Sequence, residues 1–263
     1  MNRTMHRIFE NSNTDWVHFS EYEYRLDSEG EVYIIATQES ELKNYVPANI
    51  PDLILVDSLN IGKILAEKRD MVTVKSAILD FYRHYGVLGF MMESPLPQEV
   101  FTPFGETSNG KIRRLNQFFL DRPPTYDTVF SRSYAEKLDW VTQYFQDLYL
   151  HFHACSHIAE CLDGDLIVEY ARRIRAMQFA GIGYNFYVKA GQPLSLDYNF
   201  PSLKSVIDTA YSFAVTAEAM PLKLCKDCDK VFFVNHQRTE FCSTQCRSKH
   251  NTRKFRQKGP GET

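Results

Sequence analysis

The 263-residue chain contains no apolar run approaching the length of a membrane span. No apolar stretch follows the start either. Met1-Asn2-Arg3-Thr4 leads into polar sequence, so no signal peptide is expected. The expected compartment is the reducing cytoplasm, where disulfides are rare. Catalytic signatures are missing too. There is no P-loop, no G-x-G-x-x-G, no G-x-S-x-G and no H-E-x-x-H, and Gly181-Ile182-Gly183 is a lone fragment. These absences remove the motif-bearing nucleotide hydrolases, dinucleotide enzymes, serine hydrolases and zinc peptidases. No tandem repeat is visible. Hydrophobic residues make up 44% and aromatics 14%, so a globular body is expected rather than a disordered one.

What the chain does have is a cysteine pattern. Four of its six cysteines stand as Cys225-Lys226-Asp227-Cys228 and, thirteen residues later, Cys242-Ser243-Thr244-Gln245-Cys246. A C-x2-C turn brings two sulfurs to one side of an ion. The second pair, four residues apart, can supply two more from one helical turn. Paired spacing of this kind points to a Zn²⁺ ion with a closed tetrahedral shell of four thiolates, which leaves no place for a reacting water. The metal is therefore expected to hold a fold together. Ordinary buried cysteines or disulfide pairs are the alternatives. His236 and His250 are spare donors, because four cysteines already complete the shell.

Acid is absent from residues 247 to 258, which read RSKHNTRKFRQK. Arg247, Lys249, Arg253, Lys254, Arg256 and Lys258 lie there. The chain carries a net −3, and −9 once those six are set aside. An acidic body with a basic end suggests a polyanion partner, nucleic acid first. On a helix running on from Cys242, Arg247, Lys254 and Lys258 share one face. Lys249, Arg253 and Arg256 share roughly the opposite one. A solvated tail that balances the acidic body is the plainer reading.

Between the cysteine pairs, Lys230-Val231-Phe232-Phe233-Val234 reads as a strand. Residues 235–238 read as a turn, and Thr239-Glu240-Phe241 as the returning strand. Knuckle, hairpin and helix together form a treble-clef order. The stretch CKDCDKVFFVNHQRTEFCSTQCRSKHNTRKFR resembles the CGNR-type zinc finger that ends bacterial stress-induced transcription regulators. It is also similar to a finger found at the end of many Gram-positive proteins. That family usually spaces its cysteines more widely, and has Gly-Asn-Arg where this chain has Arg247-Ser248-Lys249. The resemblance covers about the last third of the chain, and it implies a DNA-binding regulator of transcription.

Upstream, Tyr184, Phe186 and Val188 alternate, as do Leu194, Leu196, Tyr198 and Phe200. Lys189 to Gln192 separates the two runs, so a hairpin is expected. Pro201 opens a helix with Leu203, Ile207, Ala210, Ala214 and Ala217 on one face. Near the start, Tyr22–Leu26 and Glu31–Ala36 flank Asp27-Ser28-Glu29-Gly30 as a second hairpin. Leu53-Ile54-Leu55-Val56 fits a strand or a helix start equally. From about residue 72 a helix runs through Val74, Ile78, Phe81 and Tyr85 to a stop at Gly86. Gly86 to Phe90 makes an apolar bend. Prolines 95, 97, 103, 123 and 124 mark loops, and Met91-Met92 reads as core filling.

The longest expected element is a helix from about Tyr134 to Leu162. Its stripe is Leu138, Val141, Phe145, Leu148, Phe152, Cys155, Ala159 and Leu162. His151, His153, Cys155, His157 and Cys161 imitate a metal cluster, but no carboxylate or further ligand is placed with them. His236 does not make a nuclease centre either, since thirteen residues leave no room for a catalytic helix and no orienting partner is evident.

The expected fold is α+β: an N-terminal α/β segment over 1–71, a mainly helical body over 72–220 with a hairpin near 184–200, a four-cysteine zinc finger with its basic helix over 221–258, and a tail over 259–263. The expected function is nucleic-acid binding, DNA above all, by a non-enzymatic regulator. Binding of an acidic protein partner is one alternative, and an enzyme site without a readable motif in the body is the other.

Overall fold

The computed structural model describes residues 16–26, 30–37, 40–45, 53–90, 135–158, 161–177, 179, 183–187, 195–200, 202–217, 221–234, 236 and 238–257. The Met91-Met92 pair, the proline-marked loops, residues 27–29 and 188–194 of the two hairpin turns, Lys258 and the tail lie outside them. Within them the fold is α+β, with six helices and small antiparallel sheets.

The Leu53–Val56 ambiguity resolves as helix. In α1 (Leu53–Ala66), Leu55, Leu59 and Gly62 recur three and four apart on a buried face, a spacing that the four-residue run alone did not contain. Helix α2 (Met71–Tyr85) starts where Asp70 accepts a hydrogen bond from the Thr73 amide at 2.9 Å. It ends at Gly86, whose φ of +90° a side chain would resist. Val74, Ile78, Phe81 and Tyr85 are its buried stripe, as expected.

Helix α3 (Leu138–His157) is the centre of the body. Leu138, Val141, Phe145, Leu148 and Phe152 are all buried. The helix is shorter at both ends than the expected span from about Tyr134 to Leu162. At its start, Glu136–Lys137 instead forms a short strand, β5. At its end, Asp163 accepts hydrogen bonds from the amides of Asp165 and Leu166 and begins a separate helix, α4 (Gly164–Ala176). Leu162, in the link, is 99% exposed. An N-cap outweighed the continued apolar spacing. Helix α5 (Leu203–Thr216) opens with a capping box between Ser202 and Ser205 and buries Leu203, Ile207, Ala210 and Ala214.

Helices α1 and α3 approach so closely that there is no room for a side chain at Gly62. A Cβ there would lie 2.0 Å from the Phe145 carbonyl oxygen. That contact seats the finger's neighbour, α1, on the core.

Strands β1 (Trp16–Phe19) and β4 (Leu42–Tyr45) pair antiparallel. The expected N-terminal hairpin is β2 (Tyr22–Leu26) with β3 (Val32–Ala36), and β3 also pairs with β5. The second hairpin is β6 (Gly183–Tyr187) with β7 (Ser195–Asn199). The 86–90 bend is organised by Glu136, which is fully buried. Its carboxylate accepts the Tyr82 hydroxyl and the amides of Leu88, Gly89 and Phe90. Burial pushes this carboxyl up, and the four donors pull the other way.

Candidate metal centre and nucleic-acid interface

The C-terminal unit begins with a hairpin that differs from the one expected. Strand β9 (Val231–Phe233) pairs with β8 (Leu222–Leu224), in the register Leu222↔Phe233 and Leu224↔Val231. Residues 239–241 form no strand. The first cysteine pair therefore sits at the tip of β8–β9. The alternation in Leu222-Lys223-Leu224 was the available signal. The return segment is held instead by Lys226, whose amide donates to the Glu240 carbonyl at 3.0 Å.

The knuckle geometry follows from its backbone bonds. The Cys225 amide donates to the Lys230 carbonyl at 2.9 Å, and the Asp229 amide to the Cys225 carbonyl at 2.8 Å. Asp229 takes a φ of +55°, a left-handed turn that Asp tolerates better than most residues. Helix α6 (Thr244–Gln257) begins two residues later than a run from Cys242 would require. Ser243 interrupts it, and its hydroxyl accepts the Cys246 amide at 3.2 Å in the manner of an N-cap. Cys242 thus precedes the helix, and Cys246 lies in its first turn.

All four sulfurs converge within 4.8 Å of one another. Cys228 and Cys242 are 3.7 Å apart, and Cys242 and Cys246 are 3.6 Å apart. A tetrahedral ion with metal–sulfur bonds of about 2.3 Å separates its ligands by roughly 3.8 Å. The cluster could hold a metal ion and is compatible with zinc. The donor set is prepared unevenly. Burial works against a thiolate at Cys225, but amides of Cys242, Asp227 and Cys228 outweigh it and hold that thiol at about 7. Cys242, by burial and by bonds with the neighbouring thiols, is pushed up to about 12.

This unit is bolted to the body. Asn60 on α1 donates its side-chain amide to the Val231 carbonyl at 3.1 Å and accepts the Val231 amide at 2.9 Å. Leu222 and Val231 belong to the same buried cluster as Leu59 and Phe145.

Arg247, Lys249, Arg253, Lys254 and Arg256 all lie on α6 and are exposed. They do not act as one surface. Arg253 turns back to the knuckle and pairs with Asp227 at 3.0 Å, whose side chain is only 4% exposed. Arg247 and Lys254 instead line a groove of about 730 Å³ shared with Lys226, His236, Arg238 and His250. Lys249 and Arg256 are not among its walls. Arg238 was not singled out in the sequence, because it falls in the loop between the cysteine pairs rather than in the basic run.

The histidine-rich part of α3 is a packing feature. His151 is buried, with Nδ1 2.6 Å from the Tyr211 hydroxyl and Nε2 3.2 Å from the Ile174 carbonyl. Burial lowers its pKa, so the neutral ring donates to the carbonyl and accepts from the phenol. His153 and His157 stack on each other with centroids 4.1 Å apart. Cys155 is half-buried beside His151. A second cavity of about 350 Å³ lies between α1 and α2 and is lined by Asp57, Asn60, Lys63, Asp80 and His84 among others. Among the described residues, no helix is long and apolar enough to cross a membrane. No family model, curated protein or solved structure matches the chain.

Proposed function

We propose that the chain is a zinc-finger nucleic-acid-binding protein, acting on DNA in the control of transcription. Zinc would be held by Cys225, Cys228, Cys242 and Cys246 and would supply structure only, since four protein ligands leave no open position. The observation that carries the reading is the placement of α6. A cationic helix grows directly from the four-cysteine cluster and leaves Arg247, Lys249, Lys254 and Arg256 in solvent. Such a helix has fixed direction at its base and free charge along its length, which suits phosphate contact. The CGNR-type resemblance supports the same assignment. Six free thiols agree with a cytoplasmic setting. No catalytic role is assigned to the body.

The test is a fluorescence-anisotropy titration of the zinc-loaded protein with DNA and RNA at two salt concentrations. Affinity is expected to fall steeply as salt rises, because phosphate contacts release counterions. Absence of binding even at low salt would remove the nucleic-acid reading. An acidic protein partner would then take its place, since the same basic helix would still need a counter-surface.

A further inference from the structure

The cations of α6 are divided among three sides of the helix, and only one side is concave. Cys246 and Arg253, seven residues apart, share the strip that faces the knuckle, where Arg253 meets Asp227. Lys249 and Arg256, also seven apart, share another strip and stand free in solvent. Arg247, Asn251 and Lys254 follow at four and three residues and form one wall of the 730 Å³ groove. The opposite wall is the return segment, with His236, Arg238, Thr239, Glu240 and Phe241.

The charges in this groove are available. Lys226 is engaged by Glu240 at 2.5 Å. Among the described residues, Arg238, Arg247 and Lys254 form no ion pair. Three cations from two separate segments thus line one recess, which runs from the Ser243-Thr244 start of α6, near Arg247, to its last turn at Lys254. The helix N-terminus adds partial positive charge at the Arg247 end. The four thiols that would hold the metal lie toward the neighbouring strip of the helix, where Arg253 is engaged by Asp227.

The groove also has aromatic walls and an aromatic rim. Phe241 and His250 line it with ring centroids 5.2 Å apart. Phe255 follows Asn251 by four residues, so it borders the groove face, and it is 82% exposed. A phenylalanine exposed beside a cationic recess offers a flat apolar face on which a base can stack. Paired bases in a duplex keep their faces stacked inside. Unpaired bases present theirs, and stacking on aromatic side chains is the usual way proteins hold a single strand.

We propose that this groove is a single-strand site: Arg238, Arg247 and Lys254 take the phosphates of an unpaired nucleic-acid strand, and Phe255 stacks on a base. The assignment rests on the nucleic-acid reading above. It moves the contact from the whole basic run to one face, adds Arg238, and leaves Lys249 and Arg256 as general charge.

The experiment uses the full zinc-loaded chain and short fluorescent oligonucleotides: unpaired DNA, unpaired RNA, and the DNA duplex of the same sequence. Unpaired strands are expected to bind more tightly than the duplex. The triple change Arg238→Ala, Arg247→Ala and Lys254→Ala should weaken that binding and flatten its salt slope by about two units. Lys249→Ala with Arg256→Ala should cost a small fraction of this. Phe255→Ala should cost roughly tenfold on unpaired strands and little on the duplex. Zinc content, unchanged in every variant, shows that each still folds. Tighter binding of the duplex, or equal losses from the groove triple and the outer pair, would overturn the single-strand site while leaving nucleic-acid binding intact. A wild type that binds none of the three probes would remove both.

Discussion

The body and the far half of the finger are built on opposite patterns of burial. In the body, α1, α3 and α5 bury continuous apolar faces, and Phe145, Phe152, Phe200 and Tyr211 are closed off from water. From residue 236 to 256 not one described residue is buried. Hydrophobic burial at about 25 cal/mol per Å² therefore stabilises the first region and contributes little to the second. A helix of fourteen residues with this composition is marginal alone in water. The difference locates a boundary that is not the one drawn by chain order. Strands β8 and β9 belong to the cysteine motif by sequence but to the body by packing.

The largest effect should come from removing the metal. Cys228→Ser, or a strong chelator, is expected to melt residues 236–257. Structural zinc contributes on the order of 10 kcal/mol to folding such units. Hydrogen exchange should show α6 losing protection while α3 keeps it and β8–β9 keeps most of it. Loss of protection in α3 at the same chelator concentration would abolish the distinction between the regions. Acid should act like the chelator. Each ligand must shed its proton to bind, so metal affinity should fall as pH falls. Zinc release followed with a colorimetric chelator against pH reads this directly.

A change of intermediate size probes the other side of the comparison. Gly62→Ala places a methyl against the Phe145 carbonyl and the Tyr149 Cβ. Overpacking of this kind costs about 1–3 kcal/mol, and here the obstructing atoms include backbone. A lowered Tm with unchanged zinc content is expected. Loss of zinc together with the lowered Tm would mean that the α1–α3 contact supports the finger too.

The smallest expected effect is at the joint. Asn60→Ala leaves the part-buried Val231 amide and carbonyl without their side-chain partner, at a cost of about 0.5–1.5 kcal/mol. Exchange should quicken at Val231 and its neighbours, with α3 and the metal content unaffected. Protection at Val231 equal to wild type would show that apolar packing alone docks the hairpin.

How far the sequence could be read follows the same divide. The four-cysteine cluster was legible because ligand spacing is local. So were the Val74–Tyr85 stripe and the two hairpins at 22–36 and 183–199, because periodicity and turn residues are local too. The end of α3 was misplaced because Ala159 and Leu162 keep the apolar rhythm, whereas Asp163 decides the boundary through two hydrogen bonds to amides. The pairing of β9 was misassigned because a strand's partner is a tertiary choice, and here the core selected β8 over the return segment. Gly62 carried no signal, since a close approach exists only once two helices have met. Arg238 was missed for the same reason: the cations it meets in the groove, Lys226, Arg247 and Lys254, come from nine or more residues away along the chain.

Asn60 has one more consequence, and it concerns other molecules. A two-stranded ribbon has free edges, and an open edge is a template on which a stray extended chain can add. On β9 the outward amide and carbonyl of Val231 are already answered by one side chain, which offers them the donor and acceptor a neighbouring strand would have brought. A carboxamide on a helix thus works as a stopper. It satisfies the strand edge at Val231 without extending it, so a second strand would find no open donor or acceptor at that residue.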